Sequence, residues 1–299
     1  MQIDDEAIIL KKKKYGESSL LITFFSYHHG INIGLVKGVL KKDFGIYEVG
    51  NNVYIKCNSR LEIQLLNCKF ELIKNYSIIF FDNDIKLNTL LSICSLIDLC
   101  FPHKLPQLNL YRKTILLMED LKLKDWLNKY ILWELFLLSE MGYGLDLKKC
   151  TVSGSTKDLF YVSPRSGKAV SKLVGNKYHQ KLFKLPNFFI NTSKKVDKKI
   201  IKNGFEITGF FLNKYLKKKD RNQIQNDQEN IVIQYHRIPI RIIKITQTFN
   251  QNKMTKILIQ SILLTEKTII NIDGKEEQIL VLPDNYQNNS IIKDTYGYK

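Results

Sequence analysis

Residues 133–171 read WELFLLSEMGYGLDLKKCTVSGSTKDLFYVSPRSGKAVS, and this stretch decides the fold. Its first part completes a helix that is apolar nearly all round, and such a helix belongs in a protein core. Gly142 and Gly144 end the helix, because glycine adopts the left-handed cap conformation at little cost. The stretch therefore predicts a buried helix with a sharp end, after which a different kind of structure begins.

A small basic β module is predicted after this helix. Residues 150–153 and 159–163 are expected to form short strands, and the turn PRSG at 164–167 leads into a further extended segment. Because proline restricts φ and glycine permits a positive φ, this turn should be rigid. Arg165 and Lys168 flank its tip, and a rigid turn loses little entropy when its cations grip a phosphate.

Lys172, just beyond the turn, completes the cations of the module that we predict to contact phosphates. A structural alternative stays open for the turn itself. In that alternative, Arg165 pairs with a nearby carboxylate such as Asp158, or it stacks on Tyr161, and the turn has no ligand.

Residues 1–80 are predicted to form a small barrel. Short strands separated by turn signals are expected at 7–13, 20–26, 31–36, 53–57 and 61–73. Five strands with glycine turns fit an OB-type barrel. Such barrels bind single strands on a face lined by basic and aromatic side chains.

Candidate contacts on the barrel are lysines for phosphates and aromatic rings for bases. The lysines are Lys11, Lys13, Lys37, Lys41 and Lys42. Phe24, Phe25 and Tyr27 are candidates for stacking, although strand alternation must bury at least one of them. For each ring, packing in the core is the more frequent role.

Residues 81–147 and 176–219 are predicted to form one helical domain, into which the β module at 148–175 is inserted. Asp125 is expected to cap the helix that contains Trp133. A later helix at 194–216 carries an apolar face that should pack back on the earlier helices. The predicted fold is therefore α+β, with several domains.

The C-terminal extension, 220–299, is not assigned a fold. Residues 217–230 are almost free of apolar side chains and are predicted to be a linker. β-branched runs within 231–283 form either an extra β element or a poorly ordered segment, and the polar tail from 283 is expected to be mobile.

The positive charge of the chain is concentrated in one region. The net charge is +17, and residues 148–219 hold 18 basic and 3 acidic side chains, whereas the rest of the chain is nearly balanced. A concentrated positive field attracts polyanions and speeds their association. Lysine used as a filler residue would be spread evenly, so this distribution favours nucleic-acid contact over a merely solvated face.

The five cysteines predict a cytoplasmic protein with reduced, mostly buried thiols, because they are scattered and form no C-x-x-C pair. A structural zinc site needs about four ligands. Only Cys150 is available in the β module, where Ser153 stands at the C-x-x-C spacing, so the module is predicted to be free of zinc. His28 and His29 are expected to point to opposite faces and to serve a turn.

No catalytic site or membrane span is predicted. The chain has no run of about 18 apolar residues, no signal-peptide pattern, no complete phosphate loop and no G-x-S-x-G motif. We therefore expect a protein that is not an enzyme and needs no cofactor or metal. Two alternatives stay open: an RNA-binding OB protein, and an enzyme with an unrecognised site in 231–299.

Three blocks of sequence carry a family resemblance. The first is GYGLDL with the following C-x-V-S-G and YVSPRSGKAVS, and the second combines EAIIL, YGESS, HG and LVKG at the start of the chain. The third is NGFEITGFFLNKY at 203–215. In this order, over residues 1–216, they resemble the RecO family of bacterial recombination mediators. No resemblance extends beyond about residue 220.

The resemblance implies a DNA repair and homologous recombination mediator. Such proteins bind single- and double-stranded DNA, anneal strands coated by single-strand-binding protein, contact its C-terminal tail, and work with RecR to load RecA. Many of them hold zinc with four cysteines in the inserted module, which this sequence does not provide. A cytoplasmic, nucleoid-associated location is implied as well.

Overall fold

The computed structural model describes residues 2–59, 65–191 and 197–224, together with two short strands further along the chain. The chain forms two compact units, Met1–Leu216 and Lys217–Lys299. None of the helices in the described part is long and apolar enough to cross a membrane.

A closed five-stranded barrel forms the N-terminal part, as predicted. Its strands are β1 (Gln2–Tyr15), β2 (Ser19–Ser26), β3 (Gly30–Val36), β4 (Asn52–Asn58) and β5 (Leu66–Lys74). The order around the barrel is β1-β2-β3-β5-β4, and all neighbours are antiparallel except β3 and β5. This arrangement fits an OB-type barrel. A 3-10 helix, Lys41–Tyr47, lies between β3 and β4.

Strand alternation fills the barrel with apolar side chains. Ile3, Ala7 and Ile9 point inward from β1, and Val53 and Ile55 point inward from β4. Each is at most 1% exposed. The barrel therefore has its own core, and residues of the opposite parity, such as Asp4 and Glu6, face outward.

The expectation of five reduced thiols is wrong for one pair. Cys57 on β4 and Cys68 on β5 stand directly opposite in the strand register and are joined by a disulfide. The spacing of the cysteines in the sequence does not indicate this disulfide, because β-strand pairing rather than sequence distance brings the two sulfurs together. Cys94, Cys100 and Cys150 are buried and form no disulfide within the described residues.

The histidine pair lies in the turn between β2 and β3, but the two rings do not point to opposite faces. The Nδ1 atoms of His28 and His29 lie 3.0 and 3.3 Å from the carboxylate of Asp5, and the His28 backbone N–H donates to it at 2.7 Å. The alternation rule fails because these residues form a turn, not a strand. Their turn role is confirmed.

Four helices follow the barrel: α1 (Tyr76–Ile79), α2 (Asp84–Cys100), α3 (Leu108–Asp120) and α4 (Trp126–Glu140). Asn83 caps α2 by accepting the backbone N–H of Lys86 at 3.1 Å. Asp125 precedes α4 but makes no side-chain cap, contrary to prediction. Its backbone (φ −99°, ψ 27°) is not in the extended region that aims a capping carboxylate at the helix.

The buried helix predicted from the opening stretch is α4. Trp133 is 4% exposed, and its indole N–H donates to the Thr114 hydroxyl of α3 at 3.2 Å. Gly142 then takes a φ of +80°, as expected of a helix end. The last helix of the first unit packs back on α4, since Tyr130 and Phe205 bring their ring centroids to 6.1 Å.

This last helix, α6 (Lys198–Ile224), is longer than predicted. The linker expected at 217–230 is wrong for its first eight residues, which continue the helix. Lysine, arginine and glutamine are good helix formers and need no apolar face to continue a helix that is already nucleated.

The β module contains a three-stranded antiparallel sheet in the order β7-β6-β8. Its strands are β6 (Leu159–Val162), β7 (Ala169–Ser171) and β8 (Phe183–Lys184), with the short helix α5 (Lys172–Gly175) and 3-10 helices at Asn176–Lys181 and Asn187–Phe189. The strand predicted at 150–153 is wrong. These residues form a turn in which the Gly154 N–H donates to the Cys150 carbonyl at 2.9 Å.

Beyond the end of α6, the second unit is described at one strand pair. β9 (Pro239–Ile240) and β10 (Ile262–Leu263) are antiparallel. The remaining expectations for the C-terminal extension and its tail fall outside the described residues.

Candidate nucleic-acid interface

The turn predicted to grip a phosphate is tightly held. The Gly167 N–H donates to the Ser163 carbonyl at 2.8 Å, and the Ser163 N–H donates to the Lys168 carbonyl at 3.0 Å. Gly167 has a φ of +70°, as its position in the turn requires. The backbone between β6 and β7 is therefore closed at its base and fixed in shape.

Lys214 of α6 holds the tip of the same turn. Its ammonium donates to the carbonyls of Pro164 and Arg165, both at 3.1 Å. It also lies 5.6 Å from the ring centroid of Phe211. Sequence reasoning did not assign this lysine a role, because α6 and the turn are about fifty residues apart in the chain.

The cations of the turn point into solvent. Arg165 and Lys168 are exposed, and within the described residues neither side chain forms an ion pair. Neither alternative partner of Arg165 is in contact with it among the described residues: Asp158 forms no ion pair with it, and Tyr161 is 5% exposed and donates its hydroxyl to Asn176 at 3.1 Å. A fixed turn with two available cations is suited to binding phosphate oxygens.

Lys172 lies beside the turn with an aromatic neighbour. Its ammonium is 5.5 Å from the ring centroid of Phe160, which is 40% exposed. This places an exposed cation and an exposed ring together on the β module, the combination that single-strand-binding surfaces use for phosphates and bases.

Cys150 is buried in the small core of the β module. Its sulfur accepts the backbone N–H groups of Ser153 at 3.5 Å and Ser171 at 3.3 Å. Burial would raise the pKa of Cys150, but these hydrogen bonds favour the thiolate more strongly and lower the pKa to about 6. In the described part of the chain, no group of three His, Cys, Asp or Glu side chains is arranged to hold a metal ion.

The predicted barrel lysines differ in their surroundings. Lys11 is ion-paired with Asp98 of α2, so its charge is partly neutralised. Lys13 is exposed near the end of β1, and Lys37 is exposed just after β3. Lys41 and Lys42 begin the 3-10 helix, and their side chains lie outside what the structure describes.

Two of the aromatic candidates are not available to bases. Phe24 and Phe25 are both fully buried, Phe24 against Phe70 in the barrel core and Phe25 against Tyr111 of α3. Tyr27 is partly exposed, with the guanidinium of Arg112 at 5.3 Å from its ring centroid. Base stacking on the two phenylalanines is therefore excluded.

A cleft in the barrel brings the predicted Lys37 together with two lysines, Lys56 and Lys69, to which the sequence analysis assigned no role. It has a volume of about 540 Å³, and Lys37, Lys56 and Lys69 line it together with Asp4. Lys56 lies between the buried residues Ile55 and Cys57, so strand alternation could have placed it outward.

Comparison with known families follows the same division of the chain. A family model described as Recombination protein O N terminal matches residues 1–76, which include the barrel, and one described as Recombination protein O C terminal matches residues 84–223. The chain belongs to the RecO family. The turn held by Lys214 and the cleft lined by Lys37, Lys56 and Lys69 both lie within the residues that the RecO models match.

Curated relatives support the RecO assignment over nearly their whole length. A protein named DNA repair protein RecO from Rickettsia bellii (strain OSU 85-389) is 36% identical over 235 residues, which cover 79% of this chain and 96% of the relative. The Rickettsia canadensis (strain McKiel) protein of the same name is 37% identical over 222 residues, covering 74% and 92%. The C-terminal family-model match ends at residue 223, before most of the C-terminal extension.

Proposed function

We propose that this protein is a DNA repair and homologous recombination mediator that binds single- and double-stranded DNA. Membership of the RecO family supports the class of function. The surface supports the DNA contact, because the strongly basic region 148–219 includes the fixed turn with exposed Arg165 and Lys168. The turn held by Lys214 is the single observation that carries the proposal most directly.

The proposed mechanism is capture of the sugar–phosphate backbone with little reading of bases. Distributed lysine and arginine side chains neutralise phosphates and release counterions. Two strands held in one positive field repel each other less, so complementary strands anneal more readily. The protein makes and breaks no covalent bond in this scheme, and it requires no cofactor or metal.

The proposed partners follow from the family. We expect binding to RecR and to the C-terminal tail of single-strand-binding protein, and assistance in loading RecA onto strands coated by that protein. The proposed location is the bacterial cytoplasm, in association with the nucleoid. A pull-down with RecR and with a tail peptide tests the partners, and loss of both interactions would limit the proposal to DNA binding.

The decisive experiment concerns the turn. Arg165→Ala with Lys168→Ala should reduce DNA affinity and annealing rate, because two phosphate contacts are lost. The slope of log affinity against log salt should become shallower by about 1.8 on duplex DNA and about 1.4 on single strands. Fluorescence anisotropy at several salt concentrations measures both slopes.

A matched control removes two charges elsewhere. Lys113→Ala with Lys124→Ala takes the same net charge from exposed positions of the helical part, and should leave the slopes nearly unchanged. Equal effects of the two double variants would contradict the proposal for the turn. Competition by single-stranded RNA as strong as that by DNA would favour the RNA-binding alternative.

A further inference from the structure

Lys56 and Lys69 stand directly opposite each other on β4 and β5. Both are exposed, and among the described residues neither forms an ion pair. Like charges at directly opposed positions of neighbouring strands destabilise the pairing. A phosphate group that bridges the two ammonium groups would replace this repulsion with two charge-assisted hydrogen bonds.

The surrounding cleft suits an extended anion. Lys37 adds a third cation, and the amide side chains of Asn58 and Asn67 also line the cleft. Asp4 is the one acidic residue among the described residues that line it; it lies opposite Lys56 on β1, and its carboxylate accepts a hydrogen bond from the Tyr54 hydroxyl. Among the described lining residues, cationic side chains therefore outnumber acidic ones three to one.

The disulfide Cys57–Cys68 occupies the register position next to the lysine pair. Both cysteines face the barrel interior and are nearly buried, and both border the same cleft. Gly34 on β3 leaves the space that the Cys68 sulfur occupies, since a Cβ at this position would overlap it. A covalent link beside two repelling lysines holds them at a fixed spacing.

We infer that Lys56 and Lys69, with Lys37, form a binding site for the phosphates of a single strand, and that the redox state of Cys57 and Cys68 sets its affinity. The inference rests on the proposed function and adds a site and its regulation. Reduction by a dithiol breaks the sulfur–sulfur bond with two electrons and two protons. It leaves two thiols on the protein and converts the dithiol into a disulfide.

The consequence for binding follows from preorganisation. In the oxidised protein the two lysines are held together before the strand arrives. In the reduced protein nothing covalent opposes their repulsion, so part of the binding free energy is spent on bringing them together. Disulfides in reducing compartments are usually transient or redox-sensing, which agrees with such a role.

The test measures anisotropy of a labelled oligonucleotide across a salt series with the full chain, oxidised and after treatment with dithiothreitol. Alkylation and mass spectrometry verify the state of each cysteine. Reduction should weaken binding several-fold. Lys56→Gln with Lys69→Gln should make the salt slope of the oxidised protein shallower by about 1.4, because two single-strand phosphate contacts are lost.

Two controls separate this site from other effects. Cys57→Ser with Cys68→Ser should bind like the reduced protein, and dithiothreitol should not change its affinity. Lys113→Gln with Lys124→Gln should keep the salt slope of the oxidised wild-type protein and should still bind more weakly after reduction. Circular dichroism establishes that each form is folded. If the reduced protein and the cysteine variant lose the barrel, control of affinity by the redox state is overturned, because the disulfide then serves stability, and the lysine variant of the oxidised protein still decides the phosphate site.

The possible failures are distinguishable. An unchanged slope in the Lys56 and Lys69 variant, or equal affinities of verified oxidised and reduced protein, overturns the inference while DNA binding through the turn at Arg165 and Lys168 stands. Absence of DNA binding by the oxidised wild-type chain at low salt overturns the proposed function and this inference together.

Discussion

Glu134 should make the protein less stable as the pH rises, and Glu134→Gln should remove that dependence. The residue lies on α4 and is 7% exposed, with its carboxyl oxygen 2.5 Å from the Thr208 hydroxyl of α6. Thr208 has one proton, and its hydroxyl also lies 3.3 Å from the Gly204 carbonyl. A protonated Glu134 satisfies both contacts, since it donates to Thr208 while Thr208 donates to Gly204.

Burial raises the pKa of Glu134 to about 7, although hydrogen bonds from Thr208 and Tyr130 act in the opposite direction. The ordinary value, which applies to the unfolded chain, is 4.5. Between these values the folded protein keeps a proton that the unfolded chain has released. The stabilising contribution is therefore complete below pH 4.5 and is lost as the pH rises through 7.

The magnitude follows from the difference between the two pKa values. Each pH unit across this window lowers the free energy of unfolding by about 1.4 kcal/mol, so the total loss by pH 8 is about 3 kcal/mol. Glu134→Gln cannot ionise and therefore avoids this loss. At pH 8 it should be more stable than wild type by about 1–3 kcal/mol, the lower values applying if the amide makes weaker hydrogen bonds than the protonated carboxyl. At pH 5 it should be no more stable than wild type.

Urea unfolding at pH 5, 6, 7 and 8, at constant salt, measures this dependence. The fluorescence of Trp126 and Trp133 reports it well, because both are buried in α4. Glu206→Gln is the matched control, since Glu206 lies on α6 but is exposed and only loosely paired with Lys202 at 3.9 Å. If Glu134→Gln and wild type lose stability in parallel from pH 5 to 8, the reasoning about the buried carboxyl is refuted.

Two further predictions concern the barrel and the β module. Gly34→Ala should lower the free energy of unfolding by about 1–3 kcal/mol, because the added Cβ would overlap the Cys68 sulfur and lie 3.3 Å from a Phe24 ring carbon. A urea denaturation midpoint equal to that of wild type would contradict this, since it would mean that the barrel accommodates the Cβ without loss of stability. Purified protein should carry less than one zinc per chain, and a chelator should leave its melting temperature unchanged, because Cys150 is satisfied by backbone N–H groups; stoichiometric tight zinc, measured by atomic absorption, would contradict this.

Local patterns in the sequence were enough to predict the main elements. The apolar stretch around Trp133 predicted α4, glycine turns and alternation predicted the barrel strands, and PRSG predicted a tight turn with Gly167 at positive φ. These features depend on residues within about ten positions of each other, so their physical causes can be read directly from the chain. Predicted element boundaries were wrong where continuing an element and ending it differ little in free energy, as at the C-terminal end of α6.

Tertiary structure alone decided which distant side chains meet. The register of β4 against β5 joins Cys57 to Cys68 and sets Lys56 opposite Lys69, and a shift of one residue would turn each of these side chains to the other face. The packing of α6 brings Lys214 to the carbonyls at Pro164 and Thr208 to Glu134. Composition and spacing do not contain this information, because strand register and helix packing are set by the fit of whole apolar faces, and the polar residues on those elements are carried into place with them.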